Sequence, residues 1–489
     1  MTSLPEKQNT YTSRQKTGLI LGPAFFLALL LMPLPQGMPE NSLQVAAIAA
    51  LMASFWMSEA IPIPATALIP IVLFPLFSIM PTTEVTLFYG HHLIFLFMGG
   101  FLIAITIEKW HLHKRIALHT ILLVGTSANQ IILGFMLATA FLSAWISNTA
   151  TAMMMLTIGM AVIKQAQTKI KTPAKYSPFS TALMLSIAYS ASIGGIATLI
   201  GTPPNSILAG VIETNFNYTI SFAQWMAFAA PLSLIMLFLC WYYLTHIAFQ
   251  AEFKELPGGK QSIHQQLDKL GPLSPAEKKI LSIFILVASG WLLRGLLDIP
   301  LLQHVSDSSI AIAGALLLFT IPADFNKGTP LLDWKTAKNI PWDIMILFGG
   351  GFALAGGFAS SGLTGWIADQ LTSLHGLNLI LIVFTIVLLV VFLTEITSNT
   401  ATSSLLLPVT GALAVVIQVH PLNLMAAVAL SSSFAFMLPV ATPPNAIVFS
   451  SRKITMTQMS RAGIWLNIIG SILITLFVIF YLPVVFKIN

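Results

Sequence analysis

The sequence predicts an all-α polytopic membrane protein, and three features of its composition point to that class. The chain has 489 residues, of which 56% are hydrophobic and only 8% are charged, whereas soluble proteins carry roughly 25% charged residues. Long apolar blocks such as residues 379–393 and 468–485 indicate membrane helices rather than alternating β-strands. The formal net charge of +6 comes without a basic run interleaved with aromatic residues, which indicates basic loops and no nucleic-acid partner. A soluble enzyme is excluded, because so few charges could not cover its surface.

The first apolar stretch, residues 18–32, follows Lys7, Arg14 and Lys16 and has the pattern of a signal peptide. Because the Pro-Leu-Pro that follows offers no small-residue cleavage site, we expect an uncleaved first membrane helix, with residues 1–41 forming the N-terminal tail and this helix. Hydropathy predicts the later membrane segments near residues 42–58, 60–80, 88–107, 119–146, 148–163, 179–213, 222–247, 279–297, 308–322, 342–360, 376–397, 399–417, 424–450 and 462–486.

The distribution of Lys and Arg predicts the orientation of these segments, since basic residues concentrate in cytoplasmic loops. With the N-terminus inside, the alternation of basic and non-basic loops places every basic residue except Arg294 and Lys487 on the inside. The C-terminus is then outside. Residues 116–163 and 361–423 must each cross an even number of times, either as two full spans or as one hairpin that enters and returns.

The two halves of the chain share three motifs in the same order. The pairs are Leu96–Leu102 with Leu347–Ala353 and Ser147–Thr151 with Ser398–Thr402, both 251 residues apart, and Thr202–Asn205 with Thr442–Asn445, 240 residues apart. Three blocks in one order indicate an internal duplication. The charge pattern gives the two copies opposite orientations, so their interrupted segments are expected to meet near the middle of the bilayer.

This duplication sets the predicted domain organisation. A first inverted repeat covers residues 42–249 and a second covers residues 279–489; residues 250–278, which have mixed charge and a Pro-Gly-Gly turn, form a cytoplasmic linker. The predicted parts of the repeats are an inner hairpin over 119–163, a broken helix over 179–213, an outer hairpin over 376–417, a broken helix over 424–450 and a last helix over 462–486.

The paired motifs have the chemistry of an ion and anion site. In each half Ser-Asn-Thr lies between two apolar arms, and Ser and Asn favour helix N-caps, so each tripeptide marks a turn followed by a helix N-terminus that attracts anions. Thr-Pro-Pro-Asn breaks a helix, because proline lacks an N–H group and pushes the preceding residue out of the α region. The freed carbonyl oxygens must face a cavity, and they suit a hard cation. A lone Ser-Asn-Thr is usually a packing feature and a lone Pro-Pro a loop; their inverted pairing favours a transport site.

Neither motif contains a charged residue. The charge of an anionic substrate would therefore be balanced by helix N-termini, which contribute about 0.3–2 kcal/mol each, and by bound cations. The sequence thus predicts coupling of anion transport to a cation.

Other polar residues fit structural roles at least as well as functional ones. Glu59 and Glu395 lie within or beside membrane segments, where either capping of backbone groups or proton relay would explain them. A metal site at His111 and His113 is disfavoured, because no carboxylate or thiol cluster accompanies them. The glycine-rich run Gly349–Gly357 follows no strand, so close helix packing explains it better than phosphate binding.

The sequence resembles the divalent anion/sodium symporter family of di- and tricarboxylate carriers. The residues that carry the resemblance are Trp56–Leu68, the two Ser-Asn-Thr motifs, Gly201–Asn205 and Ser432–Asn445, and the likeness extends over residues 45–485. It implies eleven transmembrane helices plus two re-entrant hairpins in two inverted-topology repeats. It also implies a homodimer in the cytoplasmic (inner) membrane and elevator-type transport, in which residues near 42–80 and 279–322 form a static scaffold while the hairpins and broken helices move.

The resemblance also implies ligands, position by position. The first sodium site would use Ser143, Ser147, Asn148 and Gly201, and the second Thr394, Thr397, Asn399 and Ala441, several of them through backbone carbonyls. Substrate carboxylates would be held by Ser147, Asn148, Thr149, Thr202, Ser398, Asn399, Thr400, Thr442 and Pro443. Thr397 is bulkier than the small residue expected there, which is harmless if the position contributes only its carbonyl.

The leading hypothesis is a sodium-coupled symporter that imports C4-dicarboxylates such as succinate, fumarate or malate, with no organic cofactor. A dicarboxylate or citrate exchanger of the same fold, and a sulfate or other oxyanion carrier, are the nearest alternatives, since Ser-Asn-Thr would recognise an oxyanion rather than a carbon skeleton. A membrane-embedded hydrolase is disfavoured because Ser147 and Ser398 have no histidine in their motifs and no His-Glu-x-x-His occurs. A channel is a further alternative, which saturable uptake with counterflow would argue against.

Overall fold

The computed structural model describes residues 11–125, 127–167, 177–251, 259–296, 304–370 and 378–488. Parts of several predicted regions lie outside these described residues. They are residues 1–10 of the N-terminal tail, 252–258 of the linker, 376–377 at the start of the outer hairpin, residue 489, and the basic residues Lys7, Lys169, Lys171, Lys175 and Lys254.

Helices dominate both halves of the chain. The first half contains α1 (Ser13–Leu31), α2 (Glu40–Ser58), α3 (Ile63–Thr66), α4 (Ile69–Leu76), α5 (Thr82–Tyr89), α6 (His92–Lys109), α7 (Leu112–Val124), α8 (Ala128–Ser143), α9 (Asn148–Gln167), α10 (Pro178–Gly195), α11 (Pro203–Phe216) and α12 (Phe222–Tyr242). The predicted linker contains one helix, α13 (Gly259–Leu270).

The second half begins with α14 (Pro275–Leu296) and α15 (Asp307–Thr320), followed by a short antiparallel pair, β1 (Pro322–Asp324) and β2 (Thr329–Pro330). The remaining helices are α16 (Trp334–Ala337), α17 (Trp342–Ser360), α18 (Leu363–Gln370), α19 (Leu379–Thr394), α20 (Asn399–Val416), α21 (Pro421–Ser431), α22 (Pro443–Ser450), α23 (Met456–Leu476) and α24 (Leu482–Phe486). A π-helical turn follows α12 at Tyr243–Ala248, and another follows α23 at Phe477–Tyr481.

Within the described residues, six helical stretches are long and apolar enough to cross a membrane, and five shorter apolar helices accompany them. The long stretches are Glu40–Ser58, Thr82–Lys109, Phe222–Ala248, Trp342–Ser360, Asn399–Val416 and Met456–Phe486. The chain is therefore a multi-pass helical membrane protein.

Each half contains a pair of helices joined by a tight turn at a Ser-Asn-Thr tripeptide. In the first half α8 ends at Ser143 and α9 begins at Asn148; in the second, α19 and α20 do the same 251 residues further along. The region predicted as an inner hairpin from residue 119 differs at its start. Residues 119–124 belong to α7, because Gly125 adopts a φ of +137° and Ser127 then caps a new helix, α8.

Each half also contains an interrupted helix. α10 and α11 are separated by residues 196–202, and α21 and α22 by residues 432–442. Thr202 and Thr442 have extended backbones (φ −145° and −139°), and the Pro-Pro that follows each occupies the first turn of the next helix. Proline is pre-organised for that position and disfavours helix in the residue before it, so the motif both ends the unwound segment and starts the helix.

The glycine-rich run on α17 allows close packing, as its sequence suggests. A Cβ atom on Gly350 would lie 2.4 Å from the carbonyl oxygen of Ala67, and one on Gly349 would lie 2.2 Å from the Tyr89 ring. The hydroxyl of Tyr89 donates to the same Ala67 carbonyl. α17 is thereby held against the segments around α3 and α5.

Predicted inside loops from both halves contact one another. Lys109 Nζ lies 2.5 Å from Asp333 Oδ2, and this hydrogen bond lowers the pKa of Asp333 to about 2. Arg115 Nε lies 2.7 Å from Glu277 Oε1 in a buried pair, and its guanidinium also donates to the Gly271 carbonyl at 2.9 Å. These contacts join α6 and α7 to the start of the second half on one face.

Candidate functional site

A single cavity of about 460 Å³ brings the two halves together at their interrupted segments. All nine residues predicted to bind substrate line it: Ser147, Asn148, Thr149, Thr202, Ser398, Asn399, Thr400, Thr442 and Pro443. Of the predicted sodium ligands, Gly201, Thr397 and Ala441 also line the cavity, whereas Ser143 and Thr394 are fully buried behind it.

Four helix N-termini converge on this cavity, those of α9, α11, α20 and α22. Ser147 Oγ accepts a hydrogen bond from the Ala150 N–H at 3.2 Å, and Thr442 Oγ1 accepts one from the Asn445 N–H at 3.2 Å. Each N-terminus carries about half a positive charge. The lining is therefore electropositive although none of the nine residues is charged.

The first predicted sodium site consists of oxygen atoms. Ser143 Oγ donates to the Ala191 carbonyl at 2.8 Å and contacts Asn148 Oδ1. The Asn148 amide nitrogen can donate to the Ala191 carbonyl at 3.2 Å and to the Gly201 carbonyl at 3.3 Å. Of the four predicted ligands, Ser143, Asn148 and Gly201 thus come together, while Ser147 lies beside them at the cap of α9.

Glycine is required around this oxygen cluster. A Cβ atom on Gly201 would lie 2.4 Å from the Gly195 carbonyl oxygen and 3.1 Å from that of Ala144. The unwound segment is held in place by Thr198, whose hydroxyl donates to the Ala144 carbonyl at 2.5 Å and accepts from the Gly201 N–H at 3.1 Å. The carbonyl groups of this segment are thereby presented to the hairpin turn.

The second predicted sodium site repeats this arrangement. Thr394 Oγ1 lies 2.7 Å from Asn399 Oδ1 and 2.9 Å from the Ser432 carbonyl oxygen. Thr397 Oγ1 donates to the Leu393 carbonyl at 2.8 Å and lies 2.7 Å from Thr402 Oγ1. These two hydrogen bonds hold the Thr397 side chain inside the turn.

Comparison with known proteins identifies the family. The chain matches the sodium:sulfate symporter transmembrane region over residues 13–488. It belongs to the sodium:sulfate symporter family. The resemblance to divalent anion/sodium symporters that the motifs suggested is thereby confirmed, and the family is one of transporters, not of enzymes.

Two relatives of this symporter carry the name sodium-dependent dicarboxylate transporter SdcS, from Staphylococcus aureus strains USA300 and bovine RF122 / ET3-1. Each is 46% identical over 493 aligned residues, which cover 100% of this chain and 95% of the relative.

Two solved structures share the fold of this symporter. MtrF of Neisseria gonorrhoeae, described as an antimetabolite efflux pump, has a TM-score of 0.58 at 12% identity, covering 96% of this chain and 95% of its own. The YdaH transporter of Alcanivorax borkumensis has a TM-score of 0.58 at 13% identity, covering 90% and 98%. At such identities the likeness concerns the fold alone.

The asparagines of the symporter's two Pro-Pro-Asn motifs hold the unwound segments. Asn205 Nδ2 donates to the Thr198 carbonyl at 2.7 Å and to that of Ile196 at 3.1 Å. Asn445 Nδ2 donates to the carbonyls of Ala435 and Leu438, each at 3.0 Å. These positioning roles were not predicted, although each asparagine belongs to a predicted motif.

Glu395 serves the backbone of the second unwound segment. Its carboxylate accepts hydrogen bonds from the Met437 N–H at 2.8 Å, the Leu438 N–H at 3.0 Å and Asn467 Nδ2 at 2.8 Å. Of the two roles that the sequence left open, this geometry matches backbone capping.

Two charged residues of the cavity lining were not among the predicted ligands. Arg14 on α1 lines the cavity and donates to the Met57 carbonyl at 2.9 Å. Glu59 also lines the cavity and adopts the left-handed conformation (φ 52°) that ends α2. Its backbone carbonyl accepts a hydrogen bond from Gln15 Nε2 at 3.2 Å. The sequence signal for Arg14 is a basic residue at the start of the first apolar helix, which predicts the inside of the membrane but no cavity.

Proposed function

We propose that this protein is a sodium-coupled symporter that imports C4-dicarboxylates such as succinate, fumarate and malate across the cytoplasmic membrane. The observation that carries the proposal is the shared cavity, where both Ser-Asn-Thr turns and both Thr-Pro-Pro-Asn breaks meet. The SdcS relatives, which are named sodium-dependent dicarboxylate transporters and align over the whole chain, support the same substrate and ion.

Sodium coupling follows from the charge of the site. A dicarboxylate brings two negative charges, and the predicted ligands offer it only hydroxyl, amide and backbone groups at four helix N-termini. These ends contribute about 0.3–2 kcal/mol each, whereas an effective desolvation cost of several kcal/mol accompanies each buried ion. Two bound cations beside the substrate neutralise its charge, so binding without them is disfavoured.

The residues present fit sodium ions. We assign one ion to Ser143, Ser147, Asn148 and Gly201, and a second to Thr394, Thr397, Asn399 and Ala441. The Asn148 amide faces the carbonyls of Ala191 and Gly201 and the hydroxyl of Ser143, and its nitrogen can donate to all three. When the amide is turned the other way, Asn148 Oδ1 joins these oxygen atoms as a ligand for a cation. Unwound backbone carbonyls of this kind bind sodium in other transporters built from inverted repeats.

The substrate carboxylates would lie between the two cations. We assign their contacts to Ser147, Asn148, Thr149 and Thr202 from the first half and to Ser398, Asn399, Thr400, Thr442 and Pro443 from the second. Because Asn148 and Asn399 belong to both sets, each amide would contact a cation and border the substrate.

The proposal includes an architecture. Residues 42–249 and 279–489 form inverted repeats joined by a cytoplasmic linker, with eleven transmembrane helices and two re-entrant hairpins, the N-terminus inside and the C-terminus outside. The hairpins and broken helices move as an elevator against a scaffold that holds a homodimer. The mirrored turns at Ser147 and Ser398, and the ion pairs that join the predicted inside loops, support this arrangement.

Uptake of labelled succinate into proteoliposomes tests the function. We expect concentrative, saturable uptake under an inward sodium gradient and none when choline replaces sodium. Equal uptake in choline would contradict coupling, and uptake that requires preloaded dicarboxylate would identify an exchanger. Competition by malate, fumarate, citrate and sulfate distinguishes a C4-dicarboxylate carrier from a citrate or sulfate carrier.

A further inference from the structure

A cluster of three potential metal ligands lies at the contact between α6 and α11, on residues that the substrate and sodium sites do not use. His91 and His92 stand at the start of α6, and Glu213 lies in the last turn of α11. His92 Nε2 is 3.0 Å from both carboxylate oxygens of Glu213, and His91 Nε2 is 4.0 Å from Glu213 Oε2. One ligand atom from each residue lies within 4.8 Å of the other two.

The contacts of His92 direct one ring nitrogen at the Glu213 carboxylate. Ser308 Oγ donates to the His92 carbonyl at 2.7 Å and lies 3.3 Å from His92 Nδ1. These contacts orient the ring so that Nε2 faces both oxygens of the Glu213 carboxylate at 3.0 Å. A metal ion between Nε2 and the carboxylate would take both groups as ligands.

The position of His91 favours the metal ion. Its ring lies beside that of His92, with 4.7 Å between the ring centroids, so both imidazoles can reach one ion. His91 Nδ1 accepts only a long hydrogen bond, 3.4 Å, from the Leu93 N–H. A turn of the ring gives up that bond and directs the proton-free nitrogen to the ion.

Two imidazoles and a carboxylate with an open fourth position form a ligand set that suits Zn²⁺. The three side chains keep 16%, 41% and 26% of their surface exposed, in the order His91, His92 and Glu213, so the cluster is not sealed inside the protein. Ser308 supplies the outer hydrogen bond that fixes the ring of a zinc-binding histidine.

We propose that His91, His92 and Glu213 form a zinc site that joins α6 to α11 and that bound Zn²⁺ inhibits transport. The inhibition rests on the proposed function, in which α11 moves as part of a broken helix, whereas α6 packs against α15 of the predicted scaffold, where Ser308 Oγ donates to the His92 carbonyl at 2.7 Å. Residues 81–87 and 214–221, which precede and follow the cluster along the chain, contain no basic residue and are predicted outside. The inhibitory ion is therefore external, and it holds the protein in the conformation in which the two helices touch.

Zinc binding to the purified full-length protein tests the site without any transport. A zinc-sensitive fluorescent chelator should report one competing site per chain. Ser308→Ala, which keeps all three ligands, should weaken binding about 10- to 100-fold, and His92→Ala or Glu213→Gln should weaken it further. His304→Ala, which removes an exposed histidine outside the cluster, should bind as the wild type does. Equal binding by the wild type and a His91→Ala/His92→Ala variant that elutes as a single folded species would overturn the site.

Uptake of succinate with zinc outside the vesicles tests the inhibition. External ZnCl₂ should reduce sodium-driven uptake by the wild type and by His304→Ala, EDTA should restore it, and His92→Ala should be resistant. Full uptake at a zinc concentration that saturates the chelator assay would overturn the inhibition. Absence of uptake in zinc-free vesicles would instead contradict the proposed function, and the chelator assay would still decide the site.

Discussion

At the scale of single residues, the two halves differ most where the first one needs glycine. A Cβ atom on Gly195 would lie 2.7 Å from Asn148 Oδ1, inside the first oxygen cluster. The corresponding residue 240 positions later is Ala435, so the second half already contains the methyl group that the first half excludes. The two proposed sodium sites are therefore alike in their ligands and different in their tolerance of substitution.

Gly195→Ala is expected to weaken the first sodium site, because the added methyl group displaces the Asn148 amide. Overpacking of this kind costs about 1–3 kcal/mol, and about 1.4 kcal/mol corresponds to a tenfold change in affinity. We expect the sodium concentration for half-maximal succinate uptake to rise about tenfold or more. The matched variant Ala435→Gly should leave this concentration nearly unchanged. An unaltered sodium dependence in Gly195→Ala would remove Asn148 from the proposed site.

The residues of the cavity were predictable where a motif recurs in both halves. Ser147 and Ser398 were found because the repetition of a neutral tripeptide is improbable without a shared role, and both line the cavity. Arg14 could not be placed there, since its contact with the Met57 carbonyl joins two helices whose packing no local pattern encodes. His91, His92 and Glu213 were missed for the same reason, because more than 100 residues separate the histidines from the carboxylate.

At the scale of elements, the two unwound segments satisfy the hydrogen bonds of their backbone groups in different ways. The first, residues 196–202, is tied by Thr198 and Asn205 to nearby carbonyl groups. The second segment is longer and covers residues 432–442. The backbone N–H groups of Met437 and Leu438 in this segment donate to the Glu395 carboxylate. The residue 251 positions before Glu395 is Ala144, so this carboxylate has no counterpart in the first half.

Replacing Glu395 with Gln is expected to lower stability, because an NH₂ group would face a backbone N–H or the Asn467 amide. A buried donor left without an acceptor costs about 1–3 kcal/mol. Thermal unfolding of the purified protein should occur at a lower temperature. Glu59→Gln, at an exposed position, is the control and should unfold with the wild type. Equal unfolding temperatures for both variants would contradict the capping role.

The order of elements followed from the sequence better than their ends did. The Pro-Pro motifs predicted both helix breaks, because proline acts on its immediate neighbours and needs no tertiary context. The start of α8 was missed, although residues 125–130 (Gly-Thr-Ser-Ala-Asn-Gln) interrupt the apolar run and Ser127 with Gln130 has the spacing of a capping box. The predicted last helix, 462–486, begins earlier, at Met456, where Thr455 and Gln458 form a capping box.

At the scale of the whole molecule, the residues that line the cavity indicate the side of the membrane to which it opens. Arg14, which the distribution of basic residues places inside, is part of its lining together with Ile344, six residues after Lys338 of a predicted inside loop. The cavity is therefore expected to open to the cytoplasm in this conformation. Charge and motif order predict an inverted relation of the halves, whereas the side on which the cavity opens depends on how the halves are tilted.

A single introduced cysteine tests this direction. The natural Cys240 is fully buried, so the wild type should not react with a membrane-impermeant maleimide. Val440 lines the cavity with 78% of its surface exposed, and Val440→Cys should therefore be labelled readily. We expect labelling in inside-out vesicles, slowed by sodium with succinate, and little in right-side-out vesicles. Labelling from the outer side alone would contradict a cytoplasmic opening.

Asn148 and Asn399 each lie between an oxygen cluster and the cavity. Their proposed double role, toward sodium and toward substrate, has a consequence for the coupling free energy between the two ligands. If one amide contacts both ligands, the free energy by which the ion strengthens anion binding must equal the free energy by which the anion strengthens ion binding. Sodium therefore raises the affinity for substrate by the same factor by which substrate raises the affinity for sodium. A substitution that weakens this linkage would first let substrate cross with fewer sodium ions. Only a stronger defect would abolish transport.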